Sequence, residues 1–171
     1  MNQVLFTEQE LQIRIKSLAI QASYHNNPEN KPVVMIGVLN GAFMFFADLV
    51  RNMRVDCEID FMQAKSYLGQ VQDRVEILKD ISIDIKGKNV FIVDDIFDSG
   101  NTIRRLINHL KHKEPASITP VTLFKRHTSN MEELLYGFEL QNEAWLVGYG
   151  LDNTGGFKRN QPYITGELLD D

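Results

Sequence analysis

The chain has 171 residues, 43% hydrophobic and 24% charged, enough for one domain with a real core and well outside the composition of disordered chains. Its 18 basic and 23 acidic side chains leave a net charge of -5, the wrong sign for a protein whose main work is wrapping nucleic acid. A single cysteine, Cys57, excludes an internal disulfide and fits a reducing compartment.

The first residues, MNQVLFTEQELQ, lack the basic start and apolar run of a secretory signal, and no segment approaches about 18 consecutive apolar residues. The expectation is a cytoplasmic protein with no membrane partner. No internal repeat or low-complexity tract occurs.

Thr7-Glu8-Gln9-Glu10 has the form of a capping box, and Leu11, Ile15, Leu18, Ala19 and Ala22 follow at helical spacing. A first helix is expected from about Glu8 to Tyr24. His25 to Asn30 carries a proline and breaks it. Val33 to Val38 is an apolar run of the kind buried on both faces of a parallel sheet, and Leu39-Asn40-Gly41 ends it. Phe43, Phe46, Ala47 and Val50 mark a second helix, completing a strand-loop-helix unit.

Cys57 to Met62 and Arg74 to Leu78 alternate apolar and polar residues, as half-buried antiparallel strands do. The polar stretch between them, Gln63 to Asp73, has the length of a mobile loop over a site. Val90 to Val93 reads as a buried strand, and Ile103, Leu106, Ile107 and Leu110 mark one face of the next helix. Pro115 closes this second unit. Ile118 to Phe124 form a further strand that delivers Lys125 and Arg126. A short helix is expected over Glu132 to Tyr136, with strands at Trp145 to Val147 and Tyr163 to Leu168. The alternation predicts an α/β fold with a mainly parallel central sheet flanked by helices.

The stretch VFIVDDIFDSGNTI, Val90 to Ile103, sets three aspartates within five positions. Like charges this close repel one another unless something positive or polyhydroxylated sits among them. In open parallel sheets ligands bind beyond the carboxyl ends of the strands, where Asp94, Asp95, Asp98, Lys125 and Arg126 would gather. Ser99-Gly100-Asn101-Thr102 places small residues at a helix N-terminus, whose backbone N–H groups and dipole make a phosphate cradle. The combination fits a ligand carrying phosphate and sugar hydroxyls, with a divalent cation bridging the charges. Solvated turn and cap aspartates are the plainer reading of the same residues. No Walker loop occurs, and Gly148-Tyr149-Gly150 lacks the later glycine of a dinucleotide fingerprint.

Val90 to Thr102 resembles the phosphoribosyl-pyrophosphate signature of the type I phosphoribosyltransferases. Ile36 to Met44, Ser66-Tyr67, Lys125-Arg126, Trp145 to Asp152 and Arg159 to Tyr163 narrow the resemblance to the hypoxanthine (hypoxanthine-guanine) phosphoribosyltransferases over nearly the whole chain. The resemblance implies a purine salvage enzyme that joins hypoxanthine or guanine to 5-phosphoribosyl 1-pyrophosphate, giving IMP or GMP and pyrophosphate, with Mg2+. It implies a single domain over 1–171, with 1–10 and 140–171 forming a hood over the purine site, and a homodimer or homotetramer.

Carried over by motif, Asp98 is the general base, and Asp94, Asp95, Ile96, Asp98, Ser99, Gly100, Asn101 and Thr102 bind the ribose and its 5'-phosphate. Leu39, Asn40, Gly41 and Arg159 match pyrophosphate contacts. Lys125, Trp145, Leu146 and Asp152 match purine contacts, and Lys125 would donate to the 6-oxo group. Ser66 and Tyr67 match the tip of a flexible closing loop, and Asp94, Asp95 and Asp152 match metal-side carboxylates. Asn40 stands where the family often carries Lys or Arg, and one extra residue between Asp152 and Pro162 makes Arg159, rather than Lys158, the better match.

A regulator that senses phosphoribosyl pyrophosphate on the same fold is the alternative. It would need a basic surface and could dispense with Asp98 or Lys125. A phospho-acceptor receiver domain would use Asp94, Asp95 and Lys125 but leaves the Asp98 to Thr102 turn unexplained. His109 and His112 lie off the apolar stripe without a third ligand and read as helix surface. His127, directly after Lys125-Arg126, reads as pocket border or as exposed loop surface, and Phe43, Phe45 and Phe46 as core or subunit contact.

Overall fold

In a computed structural model, the protein is described over residues 3–67, 74–141, 144–153 and 155–167. The elements follow as β1 (Gln3–Phe6), α1 (Glu8–Tyr24), β2 (Val33–Leu39), α2 (Phe43–Asn52), β3 (Cys57–Tyr67), β4 (Arg74–Lys79), β5 (Asn89–Phe97), α3 (Asn101–Lys111), β6 (Ser117–Arg126), β7 (Leu135–Leu140), β8 (Trp145–Val147) and β9 (Ile164–Glu167). The expected capping box starts α1: the Thr7 hydroxyl accepts from the Glu10 N–H at 3.3 Å, and the Glu10 carboxylate accepts from the Thr7 N–H at 2.8 Å.

Six strands form the main sheet in the order β4-β3-β2-β5-β6-β7, every pair parallel except β3 with β4. Successive side chains of a strand face opposite ways. Met35, Phe91 and Val93 therefore pack with Leu11, Ile15 and Phe45 on one face, while Val34, Ile36 and Ile92 pack with Ile103, Leu106 and Leu110 of α3 on the other. Covering both faces is what the unbroken apolar runs of β2 and β5 require. From β2 the chain passes through α2 to β3 on one side; from β5 it passes through α3 to β6 on the other. The strand order thus reverses between β2 and β5, and the crevice at their carboxyl ends is where such sheets bind ligands.

A second, antiparallel sheet, β1-β9-β8, joins the two ends of the described chain. Phe6 docks it on the main core, with ring centroids 5.1 Å from Phe124 and 4.6 Å from Phe138. Its first strand has only four residues, too few for an alternation to show. Among the described residues no helix is long and apolar enough to cross a membrane.

Two expectations need correction. The short helix over Glu132 to Tyr136 does not form: Glu133 takes φ 61° and β7 begins at Leu135. Its ladder with β6, the Phe138–Phe124 stack and hydrogen bonds from Arg14 to the Tyr136 and Gly137 carbonyls outweigh a weak local helical pattern. Gln63 to Tyr67, expected as the start of a loop, are strand instead, because β3 stays paired with β4 through Ser66 and Tyr67. Residues 68–73 of that loop, and Leu168 of the last expected strand, lie outside the described residues. Phe45 and Phe46 are core, whereas Phe43 is exposed.

Candidate active site

Two strand ends build the site. After β2 the Leu39–Asn40 peptide is cis and Gly41 follows. A Cβ on Gly41 would lie 1.6 Å from Asp95 Oδ2, so only glycine lets the Asp95 carboxylate sit against this loop. On β5, Asp94 Oδ1 accepts from the Asp95 N–H at 2.9 Å and Asp95 Oδ1 from the Ile96 N–H at 2.6 Å. The strand runs on to Phe97, which makes Asp94 and Asp95 strand residues rather than loop residues.

The turn that follows is held from below. Gly100 takes φ 78°, and a Cβ there would meet Arg104 Nη1 at 2.5 Å and Phe97 Cζ at 2.6 Å. Arg104 lies over the Phe97 ring and donates to the carbonyls of Ser99 at 2.7 Å and Asn130 at 3.0 Å. The cap residue of α3 is a glycine without a side chain, and no acidic residue sits in the first turn. An anion approaching this helix end therefore meets backbone N–H groups and no acidic side chain within the first turn itself.

A cavity of about 490 Å³ opens over these parts, lined by residues 38–41 and 94–103 with Ala64, Asp152 and Arg159. It brings together Leu39, Asn40, Gly41, Asp94, Asp95, Ile96, Asp98, Ser99, Gly100, Asn101, Thr102, Asp152 and Arg159, all expected site residues. Lys158 is not in its lining. Arg159 Nη2 pairs with Asp152 Oδ2 at 2.8 Å, and Nη1 donates to the Gly150 carbonyl at 2.7 Å.

Lys125, Trp145 and Leu146 do not line this cavity. Lys125, next to last in β6, has its ammonium 3.1 Å from Glu139 Oε2 and 4.9 Å from the Tyr136 ring centroid. Leu146 is buried; Trp145 is exposed, and its Nε1 donates to the Asp152 carbonyl at 3.2 Å. That bond links the small sheet to the cavity wall. Glu139 escaped the sequence reading because its place beside Lys125 follows from the β6–β7 register, which a misjudged β7 conceals. Asp48 and Tyr149, far apart in sequence and joined in space, were also missed.

Burial pushes the Asp94 carboxyl well above the usual carboxylate range, and the negative charge of Asp95 adds to it. Asp95 is raised as well, its burial outweighing the Ile96 N–H it accepts and the attraction of Arg159. The pair is an under-neutralised acidic centre made of hard oxygen donors, which fits a small divalent cation that shares its shell with a phosphate. Among the described residues no three His, Cys, Asp or Glu side chains converge to hold a metal unaided. Such an ion would draw its remaining ligands from substrate and water.

A raised carboxyl pKa means that ionising this pair opposes folding, increasingly as pH rises through the unfolded value of about 4. Asp94→Asn keeps the shape and the acceptor for the Asp95 N–H while removing the repulsion. The variant is expected to melt higher than wild type at pH 7, by roughly 2–4 °C for about 1 kcal/mol. An unchanged or lower midpoint in a thermal unfolding scan would count against the repulsion.

The crevice, the acidic strand end and the turn at the start of α3 meet in this one cavity. Residues 4–154 match the family model described as the phosphoribosyl transferase domain, and the chain belongs to that family. It is 39% identical over 173 residues to the hypoxanthine phosphoribosyltransferase of Escherichia coli (strain K12), covering 98% of this chain and 96% of that one. It is 38% identical to the hypoxanthine-guanine phosphoribosyltransferase of Aquifex aeolicus, covering 94% and 92%. Among solved structures, a hypoxanthine-guanine phosphoribosyltransferase of Bacillus anthracis superposes with a TM-score of 0.88 at 36% identity, covering 97% of this chain and 98% of that one.

Proposed function

We propose that this chain is a purine salvage transferase that joins hypoxanthine or guanine to 5-phosphoribosyl 1-pyrophosphate, releasing pyrophosphate. The observation that carries the reading is the single cavity in which Asp94, Asp95 and Asp98 meet the Ser99 to Thr102 turn and the Leu39 to Gly41 loop. Asp94 and Asp95 accept from the ribose hydroxyls, and the N–H groups opening α3 hold the 5'-phosphate. Asp98 takes the proton from the purine ring nitrogen as that nitrogen bonds to the anomeric carbon and the bond to pyrophosphate breaks. Its charge also stabilises the oxocarbenium character that develops there.

The leaving pyrophosphate is received by the Leu39-Asn40-Gly41 backbone and Arg159. Asn40 offers hydrogen bonds without a charge, which leaves Arg159 as the one cation among the described residues of the pocket lining. Asp94, Asp95 and Asp152 would hold Mg2+, which when bound would supply charge neutralisation for the diphosphate. The sheet β1-β9-β8 serves as a hood over the purine, with Trp145 stacking on the base and the Leu146 backbone reading its far edge. Ser66 and Tyr67, at the end of β3, lead into the closing loop. The chain works as a homodimer or homotetramer, and the exposed Phe43 and Ile59 beside an apolar hollow favour a subunit contact there.

A spectrophotometric assay with Mg2+, phosphoribosyl pyrophosphate and each purine in turn tests the reading; no turnover with any 6-oxopurine sinks it. Lys125 donates to the 6-oxo group, so adenine, with an amino group there, is rejected. Lys125→Ala is expected to raise the KM for hypoxanthine about tenfold, the worth of one charged hydrogen bond, and to narrow the preference over adenine. Unchanged selectivity would move base recognition to another residue.

A further inference from the structure

Tyr149 belongs to a turn that closes on itself, with Gly148 and Leu151 exchanging backbone hydrogen bonds of 3.0 Å each. Three consecutive residues have positive φ: 104° at Gly148, 48° at Tyr149 and 101° at Gly150. The middle one is not a glycine, a conformation that bulky side chains adopt only when their surroundings enforce it. The turn is also wedged. A Cβ on Gly148 would lie 2.1 Å from the Tyr163 carbonyl, and one on Gly150 would lie 2.2 Å from the Gly41 carbonyl.

The Tyr149 side chain runs inward and is 2% exposed. Its hydroxyl donates to Asp48 of α2, which also accepts from Gln12 Nε2 of α1 at 2.6 Å and from Arg51. Gln12 Nε2 lies 3.3 Å from the same hydroxyl. Burial and the neighbouring Asp48 charge push the Tyr149 hydroxyl far up, so it stays a donor. Burial alone would raise Asp48, but the hydrogen bonds from Tyr149, Gln12 and Arg51 outweigh it and keep the carboxylate ionised.

A buried polar cluster of this kind contributes little net stability compared with well-packed apolar groups; what it supplies is a fixed arrangement. The arrangement it fixes opens onto the cavity. Gly150 backs the Gly41 carbonyl, exchanges hydrogen bonds with Arg159 at 2.7 and 2.8 Å, and leads to Asp152, the partner of Arg159.

We infer that Tyr149, anchored on Asp48, is a positioning residue for the sugar-pyrophosphate half of the reaction, holding the 148–151 turn against the Gly41 loop and setting Arg159 and Asp152. This role rests on the transferase reading above. Neither Tyr149 nor Asp48 touches substrate; both act through Gly41 and Arg159.

Tyr149→Phe removes one hydroxyl and leaves Asp48 with Gln12 and Arg51. Calorimetric titration with phosphoribosyl pyrophosphate and Mg2+ should show a dissociation constant about tenfold higher than wild type, the size of one charged hydrogen bond. In steady state the KM for phosphoribosyl pyrophosphate rises in step, while that for hypoxanthine stays within about twofold. Gln12→Met, which keeps length but not the donor, should move the same constants in the same direction by less. A lowered unfolding midpoint in both variants with wild-type constants for phosphoribosyl pyrophosphate, or an equal rise for both substrates, overturns the role. Because calorimetry needs no turnover, a wild type inactive toward every purine would fail the transferase reading separately.

Discussion

Asp98→Asn should bind phosphoribosyl pyrophosphate as wild type does and lose about 100- to 10,000-fold in turnover, the usual contribution of a positioned general base. The two properties separate because they depend on different atoms. The turn that receives the 5'-phosphate takes its shape from Gly100 at φ 78°, packed on Phe97 and Arg104. None of that involves the Asp98 carboxylate. Asparagine fills the same space on the exposed turn but cannot take a proton from the purine, nor offset positive charge at the anomeric carbon. Calorimetry for binding and single-turnover kinetics for chemistry decide the matter. A parallel fall in both would make Asp98 a structural part of the cradle instead of the base.

Much of this site could be read from the sequence because its parts are local. Val90 to Thr102 encodes a strand, an acidic end and a helix-capping turn within one continuous stretch, and each follows from residue type alone. The same holds for α1, whose capping box and apolar spacing fix both its start and its buried face. What escaped depends on contacts between distant segments. β7 has a weak local pattern, and it becomes a strand because Phe6, Phe124 and Phe138 pack together and Arg14 holds its carbonyls. Glu139 meets Lys125 only once that strand is in register. Asp48 and Tyr149 are separated by 101 positions, and no periodicity could have paired them.

The tight contact between Gly41 and Asp95 makes Gly41→Ala the sharpest probe of how the two strand ends cooperate. Gly41 is not among the glycines with positive φ, so alanine suits its backbone and the conflict falls on the side chain it faces. With a Cβ due 1.6 Å from Oδ2, the Asp95 carboxylate must swing away. A carboxylate end can move at small cost, so the variant should fold and melt within a few degrees of wild type, by the scale of roughly 2–4 °C per kcal/mol. Catalysis is less forgiving, since a misplacement of about 1 Å in a positioning group can cost on the order of 100-fold. The expected result is a loss of that size in kcat/KM for phosphoribosyl pyrophosphate. The cause can be isolated with a double-mutant cycle: once Asp95→Ala has removed the carboxylate, adding Gly41→Ala should do little more, because both changes act on one contact. Fully additive losses would show that Gly41 serves the pyrophosphate through its own backbone and that its closeness to Asp95 is incidental.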